Sequence, residues 1–244
     1  IRKDATTNSG NYIVKELRAP LGYYVNEEPM EVTFTYDGQA TMVLDNTCAN
    51  KPTEMWVSKR DLTNDEELPG ATLAIKDMDG NTVTTWVSTD EPHRVTGLHF
   101  GESYTLTEIR AADGYALTDN ITFRLIQKSD EDGNHLEECE VYYLTTKNIL
   151  FWKWDDWKLL DDATVIMRDD TIKVEISKKD LTTMEELPGA ELTITDKDGK
   201  EIDRWVSTDK PHYIEKLPAG DYTLTEITAP DGYDIAESIR FTVL

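Results

Sequence analysis

Apolar and polar positions alternate along this chain in short runs broken by turn residues. Leu73-Ala-Ile-Lys-Asp77 alternates, Asp79-Gly80 follows as a turn, and Thr82-Val-Thr-Thr-Trp-Val87 alternates again. That is the pattern of a β-hairpin with the glycine its turn needs. The run from Ile194 to the Asp198-Gly199 turn repeats it, and Tyr104-Thr-Leu-Thr-Glu108 and Ile121-Thr-Phe-Arg-Leu125 read as further short strands. Helix-period runs are absent. Many short strands with regular turns predict an all-β chain of tandem antiparallel, immunoglobulin-like β-sandwiches.

The strand pattern recurs with its residues. Val57-Ser-Lys-Arg-Asp-Leu-Thr63 returns as Ile176-Ser-Lys-Lys-Asp-Leu-Thr182, and Glu67-Leu-Pro-Gly-Ala71 as Glu186-Leu-Pro-Gly-Ala190. Trp86-Val-Ser-Thr-Asp90 returns at Trp205, Tyr104-Thr-Leu-Thr-Glu108 at Tyr222, and Asp113-Gly-Tyr115 at Asp231. A partial copy opens the chain, where Gly10-Asn-Tyr-Ile-Val-Lys-Glu16 and Ala19-Pro-Leu-Gly-Tyr23 match Gly220–Glu226 and Ala229–Tyr233. Fixed-period self-similarity is the signature of a repeat array. It divides the chain into the back half of a first unit (residues 1–50), a complete second unit (51–172) with an aromatic-rich insertion at about 128–162, and a third unit (173–244) without its last strand. Both terminal units are expected to be incomplete, as in a stretch of a longer protein.

Composition narrows the classes of function. With 244 residues, 39% of them apolar, the chain can bury a core. Its formal charge of −23 repels nucleic acid and anionic membrane, which excludes both as expected partners. No apolar run approaches membrane-spanning length. Two cysteines, Cys48 and Cys139, cannot make a disulfide framework, and two free thiols are the expectation, with one bridge as the alternative.

Charged residues break strand faces that otherwise read as core. Val57 and Lys59 share a face, as do Val174, Ile176 and Lys178. Tyr104, Leu106 and Glu108 share another, as do Val165, Met167 and Asp169. Parity alone leaves two readings open: a buried salt bridge or snorkelling edge charges, and a reactive cluster.

The Ser-Lys-Arg-Asp opening at Ser58, the Glu67–Ala71 turn, the Thr105–Glu108 strand and the Ala-Pro-Asp-Gly-Tyr loop at Ala229 together resemble the collagen-adhesin B-type (SpaA-like, prealbumin-like) domains of Gram-positive adhesins and pilins. The resemblance covers nearly all of the chain except the insertion. It implies an internal isopeptide bond between a first-strand lysine and a last-strand Asp or Asn, assisted by a glutamate. Residue by residue, it implies Lys59, Glu108 and Asp169 for the complete unit. For the third unit it implies Lys178 and Glu226, with the acceptor beyond Leu244. For the first it implies Glu16, with the lysine ahead of Ile1. Matching Ala40-Thr41 to Ala163-Thr164 makes Asn46 the first unit's acceptor, with Asp45 as the alternative.

The expected function is a structural, stalk- or pilin-like segment of an extracellular, cell-wall-anchored protein, self-cross-linked and otherwise not an enzyme. Its partners are then neighbouring repeats. The alternative is a ligand-binding adhesin region in which Trp152, Trp154 and Trp157 contact host glycan or matrix protein, although a hairpin packed on its own domain explains them as well. No cofactor or metal is expected. The Asp77/Asp79/Asn81 turn lacks a calcium-binding loop, and no nucleophile motif accompanies His93 or His212. Joining between chains, by donation of a strand to the third unit, is a further reading.

Overall fold

The computed structural model describes residues 10–34, 49–149 and 152–244, and every regular element among them is a strand. In chain order these are β1 (Gly10–Val14), β2 (Met30–Phe34), β3 (Glu54–Asp61), β4 (Thr72–Lys76), β5 (Thr82–Val87), β6 (His93–Thr96), β7 (Ser103–Arg110) and β8 (Ile121–Ser129). There follow β9 (His135–Ile149), β10 (Trp152–Leu159), β11 (Thr164–Asp169), β12 (Lys173–Ile176), β13 (Glu191–Asp196), β14 (Glu201–Val206), β15 (His212–Glu215), β16 (Gly220–Thr228) and β17 (Ile239–Val243).

The middle unit is a two-layer sandwich. One sheet has the order β10-β9-β8-β7-β4-β5 and the other β11-β3-β6. Alternation along each strand puts one apolar row inside. Met55, Val57, Val95, Val165 and Met167 of the small sheet meet Leu73, Ile75, Tyr104, Leu106, Phe123, Leu125 and Val141 of the large one. The third unit repeats the plan with sheets β14-β13-β16-β17 and β12-β15, and the first contributes the pair β1-β2. The chain is thus a tandem of all-β units.

Among the described strands, one pairing departs from the antiparallel pattern. The last strand β11 runs parallel to the first, β3, with Met167 opposite Lys59 and Asp169 opposite Asp61. Parallel neighbours cannot be joined by a tight turn and need a long connection. Here the connection is the whole unit, so the pairing brings residues from its two ends side by side.

The insertion extends the large sheet. The β8–β9 turn reuses the β4–β5 chemistry, since Asp130 Oδ1 accepts from the Asn134 N–H at 2.8 Å as Asp77 Oδ1 accepts from that of Asn81 at 2.8 Å. That carboxylate is occupied in closing its own turn. The hairpin reaches back over the first unit, where the Gln127 carboxamide pairs with both the N–H and the C=O of Val25, each at 3.2 Å.

The junctions between units are built alike. Thr53 N–H donates to Gly22 O and accepts at its own carbonyl from Gly97 N–H; Ile172 does the same between Gly114 O and Lys216 N–H, all at 2.8–3.0 Å. Gly22 and Gly114 lie at φ +80° and +85°, and a Cβ there would come within 2.5 Å of Gly97 O and 2.6 Å of Lys216 O. Only glycine satisfies both the left-handed backbone and this close approach.

Candidate functional site

The alternation that fills the core also delivers the charged residues. Lys59 follows Met55 and Val57 on the inward face of β3, and Asp169 follows Val165 and Met167 on that of β11. Glu108 follows Tyr104 and Leu106 on β7 and comes from the opposite sheet. The parallel register sets Asp169 two positions beyond Lys59's partner Met167, within diagonal reach of a long side chain.

The three side chains meet between the sheets. Lys59 Nζ is in direct contact with Asp169 Oδ1 and lies 2.9 Å from Glu108 Oε1, and all three residues are buried. The second oxygen, Glu108 Oε2, accepts from the Thr118 N–H at 3.0 Å, which fixes the carboxyl's orientation. Asp169 Oδ2 is buried without a hydrogen-bond partner among the described residues. An orphan acceptor beside a second carboxyl in an apolar interior favours sharing a proton over carrying two charges.

The titration of Asp169 reflects this setting. Burial raises its carboxyl from 3.8 to about 7, against the pull of Lys59 and with a further push from Glu108. Its strand partner Asp61 goes the other way, to about 2, because the Tyr115 hydroxyl, 2.6 Å away, and the Thr63 N–H donate to it. Two aspartates facing each other in register are thus driven apart, one toward the neutral acid and one toward the anion.

A carboxyl whose folded pKa lies above its unfolded value binds its proton more tightly when folded. Its stabilising contribution is full below about pH 3.8 and is lost as pH rises through about 7. With the amine removed by Lys59→Met, the middle unit should lose stability as pH rises from about 4 to about 7. Urea melts of K59M against K59M/D169N check this, since the Asn variant lacks that slope.

The third unit holds half of the arrangement. Lys178 Nζ lies 2.9 Å from Glu226 Oε1, and Glu226 Oε2 accepts from the Ala236 N–H at 2.6 Å. Lys178 is 17% exposed at its side chain against 1% for Lys59. The difference follows from the sheet: β3 lies between β11 and β6, whereas β12 pairs with β15 alone among the described strands.

In the first unit, Glu16 Oε2 accepts from the Asn26 N–H at 2.8 Å. Each glutamate is therefore held by the backbone N–H ten residues onward. Asn46 and Asp45 lie outside the described residues, as does Cys48. Asn50, which the sequence reading passed over, donates to Glu16 Oε2 at 2.6 Å. The signal that finds it is spacing from the lysine side: Asn50 stands nine positions ahead of Lys59, as Asp169 stands nine ahead of Lys178.

The remaining candidates divide. Trp157 stacks on the Arg124 guanidinium, 4.3 Å from ring centroid to Cζ, and so belongs to the packing of its own sheet. Trp154 is 42% exposed on the edge strand β10, while the side chain of Trp152 lies outside the described residues. His93 and His212 stack on Trp86 and Trp205 at 4.3 and 4.2 Å. Cys139 donates its thiol to Glu54 O at 2.9 Å.

Tandem all-β units with repeated junctions and inward-facing lysine–glutamate pairs define a prealbumin-like domain array. Residues 5–48, 53–141 and 172–244 match the family described as "SpaA: Prealbumin-like fold domain", and the chain belongs to that family. No curated protein matches it. Among solved structures, it is similar to the Bacillus anthracis TIE protein, at 25% identity and TM-score 0.49 over 97% of this chain. The chain spans 40% of that protein's length. The C-terminal fragment of the pilus adhesin SpaC from Lactobacillus rhamnosus GG matches at 19% identity and TM-score 0.38, covering 78% of this chain and 82% of its own. The streptococcal ancillary pilin matches at 19% identity and TM-score 0.36, covering 96% and 71% respectively.

Proposed function

We propose that the chain is a load-bearing segment of a Gram-positive cell-surface protein, pilin- or adhesin-like, whose middle unit locks itself with a Lys59–Asp169 isopeptide bond. The single observation that carries this reading is the buried contact of Lys59 Nζ with Asp169 and Glu108. Membership of the SpaA prealbumin-like family supports the same picture.

The chemistry balances within the cluster. The neutral Lys59 amine attacks Cγ of the protonated Asp169 carboxyl. Glu108 in its acid form donates to the Asp169 carbonyl, draws charge from Cγ, and then passes a proton from the amine to the departing hydroxyl. The Nζ–Cγ bond forms, the Cγ–OH bond breaks, and one water leaves. The three groups share their protons, so the protonation state that reacts belongs to the cluster and not to one residue. Burial favours that state at Asp169, whose carboxyl it raises toward the uncharged form. The reaction turns over no external substrate and needs no cofactor.

Intact-mass measurement tests it. The chain should weigh one water less than its sequence, and Lys59→Ala and Asp169→Ala should restore the full mass. A full mass in the unmutated folded protein would overturn the reading. Glu108→Ala should leave the strands assembled and also give the full mass, because the amine and carboxyl remain in place without their proton shuttle. Circular dichroism beside the mass spectrum separates that outcome from failure to fold.

A further inference from the structure

We propose that Lys216, a residue of the third unit, is a positioning residue for the cross-linking reaction of the middle unit, so that docking of the third unit brings that reaction to its full rate. This regulation presupposes the Lys59–Asp169 bond of the middle unit and adds to it the control of that site by a neighbouring unit.

The backbone of Lys216 is the first observation. Three described residues other than glycine have a positive φ: Asp65, Met184 and Lys216. Asp65 and Met184 occupy one and the same turn in successive units, whereas Lys216, at φ +59°, lies at a junction. Its counterpart at the first junction is Gly97, whose N–H donates to Thr53 O as that of Lys216 donates to Ile172 O. The shared backbone plan suits glycine, and a side chain there is disfavoured. What lysine adds over glycine is an ammonium, and its placement is specific. Lys216 Nζ lies 3.3 Å from Asp61 Oδ2 and 5.0 Å from the centre of the Tyr115 ring. Both of those residues belong to the middle unit.

Asp61 and Tyr115 in turn frame the reacting trio. Asp61 faces Asp169 in the β3–β11 register, and the next N–H, that of Leu62, donates to Asp169 O at 2.9 Å. The Tyr115 hydroxyl donates to Asp61 Oδ2 at 2.6 Å. The loop that carries Tyr115 holds both ends of the site: Thr118 N–H donates to Glu108 Oε2, and Ala116 N–H donates to Asp170 O, each at 3.0 Å. Lys216 therefore grips the loop that orients the glutamate and the strand end that carries the acceptor. It also pairs with a buried carboxylate that shares the inward face of β3 with Lys59. Left without a counter-ion, that carboxylate would favour the ammonium form of Lys59, which cannot attack.

The third unit shows the latch without a neighbour's lysine. The Tyr233 hydroxyl donates to Asp180 at 2.5 Å, yet Tyr233 is 46% exposed where Tyr115 is 8%. The aspartate–tyrosine bond is thus intrinsic to a unit. The cation that joins it in the middle unit comes from the unit that follows.

The test follows the reaction in the full chain. The protein is made by cell-free synthesis, aliquots are denatured at intervals, and the fraction lighter by one water is read from intact mass. Lys216→Gly keeps the left-handed backbone and its bond to Ile172 and should slow the loss of water by about 10- to 100-fold, the cost of small misplacement in a reacting pair. Lys216→Arg should recover most of the rate, because a guanidinium can pair with the same carboxylate. In an Asp61→Asn background the rate should no longer depend on residue 216, since the intermediary is gone. Small-angle scattering of Lys216→Gly should superpose on that of the unmutated chain. A Lys216→Gly chain that reacts at the unmutated rate, an arginine variant as slow as the glycine one, or a displaced third unit in the scattering overturns this inference alone. An unmutated chain that never loses water overturns the middle-unit reading instead.

Discussion

Pulled from its ends in a single-molecule force experiment, the middle unit should release no length, and the Lys59→Ala variant should release about 36–40 nm. Lys59 and Asp169 lie 110 positions apart in sequence and touch in space. A covalent bond between them shorts out everything from one to the other. Load arriving on β3 then crosses to β11 and leaves through the following connector, and the six-stranded sheet is never stretched. Without the bond, the load falls on a ladder of hydrogen bonds between β3 and β11. Once that yields, 110 residues extend at roughly 3.3–3.6 Å each. An unfolding step of that size in the unmutated protein would show that no bond carries the load.

The second large effect is thermodynamic. Loss of the cross-link in Lys59→Met should cost about 4–5 kcal/mol of unfolding free energy for a closed loop of this size, in the chain-entropy treatment developed for disulfides. That corresponds to a fall in melting temperature of about 15–20 °C for a unit of this length. The substitution also leaves Glu108 and Asp169 buried without their cation, which adds to the loss. The two contributions separate in the triple variant Lys59→Met, Glu108→Leu, Asp169→Leu. An apolar trio removes the desolvation penalty, as replacement of buried ion networks by hydrophobic groups often does. It cannot restore the loop constraint. The triple variant should therefore melt above Lys59→Met and still below the unmutated protein. Calorimetry in which the triple variant matches the unmutated protein would show that the trio acts only as an ion cluster.

The parity of β3, β7 and β11 was legible in the sequence. It singled out Lys59, Glu108 and Asp169 because a strand's inward face is a local property with a period of two residues. The repeat was legible too, and with it the glutamates and their downstream loops. Matching of copies on Ala40-Thr41 pointed to Asn46, which lies outside the described residues, while at the junction the described residues show Asn50 donating to Glu16.

Fold class, tandem organisation and the residue types at the inward positions were set by local pattern, which any stretch of this chain carries within itself. What only the tertiary structure decided was who meets whom. The parallel pairing of β11 with β3, the approach of Glu108 from the opposite sheet, the contact of Asn50 with Glu16 and the grip of Gln127 on Val25 all join residues distant in sequence. Such contacts depend on sheet register and on the length of every intervening loop, quantities that accumulate along the chain and are fixed only when the layers close on a common core.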